Sequence, residues 1–431
     1  MRRYPRYTTE YGGFLSNYKE GFSMKGIDHS IHFCADTLQS PVLEQWLRVQ
    51  RAPALVLRQI LNLWEGSDEN AERQLDGLVA EPAKIDRLAP LTKLPKVLSA
   101  QLPSIEKKTV AQALAWLQES ADHFIVTRAC RSFPPDLLMV QPPVVLLFGA
   151  GNLALLKQPL FAIVGSRNAS PHGREHAALF SRYLSMAGFV ICSGGAMGID
   201  GAAHRAALEI MAPTVAVLGS GIDNFYPTRN RRMLQQISED GLIVSEYGPG
   251  TPVRTEQFPL RNRIISGLSC GVLVVEAAAQ SGSLHTARYA NEFGREVFAL
   301  PGSLLDPGSA GPHRLIQDGA KLVTRPEEVA EELQHLIASQ AFSGDADSDF
   351  DESDDDWYDD FEEFCQNMVQ SDVEYLAKDS ILASVGFETT AVDAIIASAG
   401  QEVSEVMHQL ISLELDGWIK TVPGGYVRVR R

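Results

Sequence analysis

Four glycine-containing turns and one pair of arginines are the residues of this chain best suited to chemistry, and that chemistry is phosphate binding. The motifs are Gly165-Ser166-Arg167, Gly194-Gly195-Ala196-Met197-Gly198, Gly219-Ser220-Gly221, Ser281-Gly282-Ser283 and Arg261-Asn262-Arg263. Glycine lets the backbone approach a phosphate closely, free N–H groups donate to its oxygens, and arginine adds a charge-assisted pair. The same stretch shows no spacing typical of a nucleophile–base pair or of a metal cluster. We therefore expect a site that holds phosphates and needs no metal or cofactor.

The arginine motifs also have a structural interpretation. Arg167 could pair with a nearby acid, and Arg261 and Arg263 could form a buried ion pair that holds a loop against a sheet. We favour phosphate binding for the pair, because no matching acid lies nearby in the sequence and an unpaired buried arginine is unfavourable. Arg229 belongs to the run Arg229-Asn230-Arg231-Arg232, beside Phe225 and Tyr226. This composition suits backbone neutralisation with base stacking, and equally an ordinary solvated helix start.

Three titratable residues beside the turns are expected to have structural roles. Asp200 can cap the helix that follows it. His204 lacks a partner at a recognisable spacing and is expected to pack or to cap. Glu276 ends an apolar segment and is expected to orient a loop, because no activated water or ligand set accompanies it.

The turns follow short apolar segments that alternate with helical patterns. These segments are Val144–Phe148, Phe161–Val164, Phe189–Cys192, Thr214–Leu218, Leu242–Glu246, Gly271–Glu276, Glu296–Leu300 and Lys321–Val323. Near-continuous apolarity predicts strands buried on both faces, hence an α/β fold with a parallel sheet. In open sheets of this kind, ligands bind at the carboxyl ends of the strands, where the glycine turns lie.

The rest of the chain divides into further segments. We predict a flexible tail over 1–30, a helical domain over 31–125, the sheet domain over 126–338, an acidic linker over 339–371 and a winged helix–turn–helix over 372–431. Residues 122–143 are interpreted as a bridge into the sheet domain. The predicted recognition helix carries Glu402, Glu405, His408 and Glu414 without lysine or arginine, which favours protein interaction or weak DNA contact. At the end of the wing, Arg428, Arg430 and Arg431 could touch phosphates.

The formal net charge of −16 does not exclude a nucleic-acid partner. Twelve of the 54 acidic residues lie between Asp345 and Glu363, a stretch without lysine or arginine, and without them the charge is −4. The folded parts are therefore near neutral, and local basic patches can dominate a binding face. Whether the acidic stretch inhibits the site by mimicking DNA is left open by the sequence.

Cysteine usage and hydropathy indicate a cytoplasmic protein with no membrane partner. The five cysteines lie far apart with no CxxC pair, which fits a reducing compartment. No apolar stretch approaches the roughly 20 residues that span a bilayer, and no apolar signal core follows the basic N-terminus.

The ordered set of motifs resembles the DNA processing protein A (DprA/Smf) family. The residues that carry the resemblance are Ala162–Arg167, Ser193–Asp200, Phe258–Ser269 and Ser281–Ala287. The resemblance covers about residues 133–333, and the flanking modules fit the family's domain order. It implies an extended Rossmann-like domain that binds single-stranded DNA, forms a homodimer and loads RecA onto incoming DNA in natural transformation. By analogy, Arg167, Arg261 and Arg263 would line the DNA groove.

Two other functions are kept as alternatives. A nucleotide-processing enzyme, such as a phosphoribohydrolase, is suggested by analogy with related Rossmann-like folds and would need Glu276 or another carboxylate as a catalytic group. A transcription regulator acting through residues 372–431 is disfavoured by the acidic recognition helix.

The departures from the family are the N-terminal tail, the long acidic linker and a helical domain without a clear helix–hairpin–helix glycine turn.

Overall fold

The computed structural model describes residues 40–65, 96–128, 130, 132–341, 380–386, 389–399, 403–415 and 418–428. The predicted tail over 1–30, the acidic stretch 345–363, Glu402, Arg430 and Arg431 lie outside these residues. Within the described ranges, no helix has the length and apolarity needed to cross a bilayer.

Nine strands form one sheet, in the order β1-β2-β6-β5-β4-β3-β7-β8-β9. The strands are β1 (His123–Thr127), β2 (Leu146–Gly151), β3 (Leu160–Val164), β4 (Val190–Ser193), β5 (Thr214–Leu218), β6 (Leu242–Ser245), β7 (Ser269–Val274), β8 (Glu296–Ala299) and β9 (Lys321–Leu322). All pairings from β6 across to β9 are parallel. β2 is antiparallel to β6, and β1 is antiparallel to β2. The predicted α/β class with a mostly parallel sheet is confirmed.

Helices cover both faces of the sheet. They are α1 (Ser40–Gln50), α2 (Ala54–Glu65), α3 (Lys96–Ala100), α4 (Lys107–Glu119), α5 (Pro171–Met186), α6 (Ile199–Glu209), α7 (Arg231–Asp240), α8 (Gln257–Leu268), α9 (Ser283–Glu292), α10 (Ala310–Gln317) and α11 (Glu327–Ala341). Alternate residues of a strand face opposite layers, as in β3, where Ala162 packs on the side of α8 and α9 while Ile163 packs on the side of α5, α6 and α11. Both faces are therefore buried, which explains the continuous apolarity of the central strands.

The chain changes direction across the sheet at β3. From β3 it proceeds through β4, β5 and β6 on one side, then returns to place β7 on the other side of β3. This reversal makes a topological switch point between β3 and β7, and a crevice forms there outside the carboxyl ends of the strands. The motif Gly165-Ser166-Arg167 follows β3 directly.

Strand β1 was not predicted, because residues 122–143 were interpreted as a bridge. Its sequence His123-Phe124-Ile125-Val126-Thr127 is a short apolar run of a kind that periodicity alone cannot assign. β1 pairs only with β2 and extends the sheet beside the helices that precede it.

The C-terminal module has three helices and a hairpin. The helices are α12 (Ser380–Ser384), α13 (Val392–Ala399) and α14 (Val403–Leu415), and the hairpin joins β10 (Ile419–Val422) to β11 (Gly425–Arg428). Gly424 has φ +97°, which the tight turn of the wing requires. Arg428 is only 5% exposed, so the expectation that it touches phosphates is wrong: its side chain lies inward.

Candidate functional site

Three loops meet at the switch point and are hydrogen-bonded into one unit. Loop 1 (165–170) follows β3, loop 2 (194–198) follows β4, and loop 3 (275–282) follows β7. The Ser166 N–H donates to the Glu276 carbonyl at 2.6 Å, and the Ile199 N–H donates to the Ser166 carbonyl at 3.1 Å. The structure thus gathers the predicted glycine turns at one edge of the sheet.

The contact between loops 1 and 2 requires glycine at position 198. Gly198 has φ +75°, and a Cβ there would lie 2.1 Å from the Ser166 carbonyl oxygen and 2.7 Å from that of Arg167. Any side chain would push the two loops apart as well as strain the backbone. Gly198 therefore fixes where the backbone of Arg167 lies.

The buried side chains of Asp200 and Arg261 hold loop 2 in place. Asp200 Oδ2 accepts from the N–H groups of Gly194 (3.1 Å) and Ala196 (3.4 Å). Arg261 Nη1 donates to the Gly194 carbonyl at 2.7 Å and also to the Val217 carbonyl. Burial raises the pKa of Asp200, and the Arg261 guanidinium acts in the opposite direction. Asp200 was expected to cap α6, and it instead binds the loop before that helix.

The interpretation of Arg261 and Arg263 as outward phosphate contacts is at odds with their burial, since they are 4% and 3% exposed. Arg263 Nη2 donates to both carboxylate oxygens of Glu246, at 2.7 and 2.9 Å, and its Nε donates to the Pro142 carbonyl at 2.8 Å. No acid near Arg263 in the sequence is its partner, because the matching acid, Glu246, lies 17 residues upstream, just after β6. Helix α8 starts at Gln257, so both arginines lie within it, and their side chains are buried.

Asn262, between the two arginines, lies nearer the surface. Its Nδ2 donates to the Gly282 carbonyl at 3.1 Å and so ties α8 to loop 3. In the same loop the hydroxyls of Ser281 and Ser283 are 2.7 Å apart. These three hydroxyl and amide groups remain candidates for contact with a phosphate.

Glu276 acts as a fixed acceptor for loop 1. Its carboxylate accepts from the Ser170 N–H at 2.9 Å and from the Ser170 hydroxyl. The Ser170 Oγ in turn accepts from the Gly173 N–H at 2.9 Å and caps α5. This arrangement agrees with the expectation that Glu276 orients a loop.

His204 and Cys192 lie beneath the loops in forms unsuited to acid–base or nucleophilic chemistry. His204 Nδ1 is 2.8 Å from the Thr214 hydroxyl, and burial lowers the pKa of His204 to about 3. Burial raises the pKa of Cys192 to about 12. Both side chains are therefore neutral at pH 7 and serve packing.

The outer surface of the site is a cluster of Arg167, Phe258 and Tyr226, named here the aromatic–arginine cluster. The Arg167 guanidinium carbon lies 5.3 Å from the centroid of the Phe258 ring, a cation–π arrangement. The Tyr226 ring centroid is 5.8 Å from that of Phe258, and Tyr226 is 44% exposed. Gly219 makes room for the ring, since a Cβ there would lie 2.9 Å from Phe258 Cδ1. Sequence reasoning named these residues separately, and only the fold brings them together.

A second support for loop 2 comes from the arginine run. Asn230 is buried, and its Nδ2 donates to the carbonyls of Gly195 (3.1 Å) and Ala196 (2.8 Å). Its neighbour Arg229 is exposed, as are Arg231 and Arg232. Nothing in the basic run itself indicates that Asn230 holds the glycine loop. Among the described residues no group of three or more His, Cys, Asp or Glu side chains is placed to hold a metal ion.

Comparison with known proteins agrees with this architecture. Residues 124–334 match the family model described as DNA recombination-mediator protein A, and residues 376–425 match the DprA winged helix domain. Protein Smf of Escherichia coli is 45% identical over 330 residues, which cover 76% of this chain and 83% of that protein. DNA processing protein DprA of Streptococcus pneumoniae is 50% identical over 202 residues, which cover 47% of this chain and 71% of that protein.

A solved structure gives the same result. The X-ray structure of DNA processing protein A from Streptococcus pneumoniae is 38% identical, covers 64% of this chain and 97% of its own, and superimposes with a TM-score of 0.50. The resemblance inferred from the sequence motifs is thereby confirmed, and the chain belongs to the DNA recombination-mediator protein A family.

Proposed function

We propose that this chain binds single-stranded DNA at the carboxyl edge of its sheet, with the aromatic–arginine cluster as the first contact. The observation that carries the proposal is the contact of the exposed Arg167 and Tyr226 side chains with the half-buried Phe258 ring, beside the joined glycine loops. Aromatic rings accept any base by stacking, and an adjacent arginine neutralises a phosphate. Binding is therefore expected to tolerate sequence and to weaken with salt.

The geometry favours a single strand over a duplex. In duplex DNA the base faces are stacked on one another, so a ring can reach them only after unstacking the helix. The ring centroids of Tyr226 and Phe258 are 5.8 Å apart, and the two ring planes form an angle of 44°. This arrangement offers ring edges and faces to unstacked bases. Oligo-dT should therefore bind more tightly than a matched duplex of the same length.

We further propose that the site acts without chemistry, as expected from the sequence. The carboxyl groups that a nucleotide-processing enzyme would need are already engaged: Glu276 holds Ser170, and Asp200 holds loop 2. Release of base or sugar phosphate from nucleoside monophosphates, lost in Glu276→Gln, is the result that would support the enzymatic alternative.

The downstream role we propose is loading of RecA onto the bound strand, in the cytoplasm. Membership of a recombination-mediator family supports this step. The test is RecA-dependent ATP hydrolysis on single-stranded DNA that is coated with a single-strand-binding protein. Stimulation by this chain, lost in Arg167→Ala, is the expected result; equal rates with and without the chain would remove the RecA role.

We also propose a homodimer through the open edge of the sheet. Within the part of the chain that the structure describes, β9 ends the strand order with β8 as its one neighbour, and Leu322 on it is 48% exposed. An unpaired edge strand with an exposed apolar side chain is suited to pairing with a second copy. Light scattering should give twice the chain mass for the parent protein and a monomer for Leu322→Glu. A parent protein that is monomeric at high concentration would contradict the proposal.

The experiment for DNA binding is a fluorescence-anisotropy titration of labelled oligo-dT against matched duplex at two salt concentrations. Removal of one phosphate contact in Arg167→Ala should reduce the slope of log K against log salt by about 0.7. Arg325→Ala is the matched control, since Arg325 is exposed and its guanidinium pairs with Glu328. Equal affinity of the parent for duplex and single strand would contradict the stacking argument.

A further inference from the structure

A groove lined by arginines runs between α6 and α7, beyond the aromatic–arginine cluster. Its volume is about 500 Å³, and its lining includes Arg205, Arg229, Arg232, Gln236, Leu208 and Met233. The sequence marks only part of it, because Arg229 and Arg232 belong to the basic run at the start of α7 while Arg205 lies on α6.

The groove is joined to the candidate site through Asn230. This residue also lines the groove, and its side chain supports loop 2 through the carbonyls of Gly195 and Ala196. Tyr226 of the cluster precedes Arg229 by three residues. The two surfaces are thus consecutive along one path.

Among the described residues, the groove arginines have no ion-pair partner, although the charge of Glu209 acts on Arg205. No carboxylate of the described residues lies within 4 Å of a guanidinium nitrogen of Arg205, Arg229 or Arg232. The one acid in the lining, Glu209, pairs with Arg182 at 2.7 Å. The groove therefore presents three positive charges against one acid that is already paired.

Arg205 is an exposed side chain of the groove. Its Nη1 meets the Met233 sulfur at 3.8 Å, and a thioether is a weak acceptor. Burial lowers the pKa of Arg205, and the charge of Glu209 opposes that shift. A phosphate oxygen would give the exposed Arg205 guanidinium a charge-assisted hydrogen bond.

We propose that this groove is a second, phosphate-binding segment of the DNA site, in which the strand that leaves the aromatic–arginine cluster lays its backbone over Arg229, Arg232 and Arg205. The inference rests on the proposed function and adds the direction in which the strand runs. The groove supplies guanidinium donors for phosphates and the apolar surfaces of Leu208 and Met233 for sugars. Because no aromatic side chain is among these lining residues, the groove is expected to bind the phosphate backbone and not the bases.

The test compares two lengths of oligo-dT on Arg205→Gln/Arg232→Gln. An oligonucleotide of about 6 nucleotides should fill the cluster alone, and one of about 20 should also enter the groove. For the longer strand, the double variant should reduce the salt slope by about 1.4, which is about 0.7 for each lost phosphate contact. For the shorter strand the affinity and slope should equal those of the parent.

The matched control is Arg288→Gln/Arg314→Gln, which removes the same charge from two exposed arginines that pair within their own helices. If Arg205→Gln/Arg232→Gln has the same salt slope as this control on the longer strand, the proposed groove site is wrong. If it loses affinity equally for both lengths, these arginines belong to the first contact, and the proposed groove site is also wrong. A parent protein that binds neither oligonucleotide would overturn the proposed function and the groove together. Parent binding to the short strand keeps the two failures distinguishable.

Discussion

Glu246→Ala should destabilise the protein strongly, because it leaves the Arg263 guanidinium buried without its counter-charge. Arg263 makes four hydrogen bonds: two to Glu246, one to the Pro142 carbonyl and one to the Leu260 carbonyl at 3.0 Å. The variant retains only the two carbonyl contacts for a side chain that is 4% exposed. Breaking a buried pair by removing one partner costs about 3–5 kcal/mol.

The assay is urea unfolding followed by circular dichroism. With an m value near 3 kcal/mol/M, a loss of this size lowers the midpoint by roughly 1–2 M. Arg263→Ala should give a similar loss, since Glu246 is then left without its partner. The apolar double variant Glu246→Leu/Arg263→Met should lose less than the sum of the single changes, because it strands no charge.

The same variants decide between the two interpretations of Arg263. If its guanidinium is structural, Arg263→Ala lowers the unfolding midpoint, and the fraction that is still folded binds oligo-dT with parent affinity. An unchanged midpoint together with lost oligo-dT binding would refute the burial argument and restore the direct phosphate contact expected from the sequence.

Three further predictions follow from single residues. Tyr226→Ala should weaken oligo-dT binding by about 1–3 kcal/mol, the value of one stacked base, with an unchanged unfolding midpoint because Tyr226 is 44% exposed; parent affinity in anisotropy would contradict it. Gly198→Ala should lower stability by at least about 2 kcal/mol in thermal unfolding, because it combines a positive φ with a collision on loop 1; Gly282→Ala, where a Cβ meets nothing within 4 Å, is its control and should be nearly neutral. Burial lowers the pKa of His204 from 6.5 to about 3. Below pH 6.5 the unfolded chain therefore binds a proton that the folded chain does not bind, and the free energy of unfolding decreases as the pH is lowered. Between pH 7 and pH 5, the free energy of unfolding should decrease by about 2 kcal/mol less in His204→Gln than in the parent protein. Urea unfolding at the two pH values measures this, and equal decreases in the two proteins would show that the imidazole is protonated in the folded state.

The succession of strands along the chain and the place of the site could be predicted, because β3, β4 and β5 each lead directly into a glycine turn. Thr214–Leu218 was predicted with its observed bounds, since continuous apolarity is a local signal. Strand β1 was missed because five residues after a helix carry no signal of their own. Its pairing with β2 is a long-range property.

The direction of side chains could not be predicted in the same way. Arg261 and Arg263 have the composition of a phosphate clamp, and whether they face solvent depends on Gly194, Val217 and Glu246, which are distant in sequence. The aromatic–arginine cluster shows the converse. Arg167 lies in loop 1, Tyr226 in the loop after β5 and Phe258 in the first turn of α8, and the three form a surface only when the fold brings these elements together.

The measurement that tests the central claim most directly is photo-crosslinking of oligo-dT in which single thymines are replaced by 5-iodouracil. This base crosslinks to aromatic side chains on which it stacks, and mass spectrometry of the digested protein identifies the attached residue. The account predicts crosslinks to Tyr226 and Phe258, lost at Tyr226 in Tyr226→Ala and reduced at both by Arg167→Ala. Crosslinks confined to the winged helix, with none at the carboxyl edge of the sheet, would contradict it.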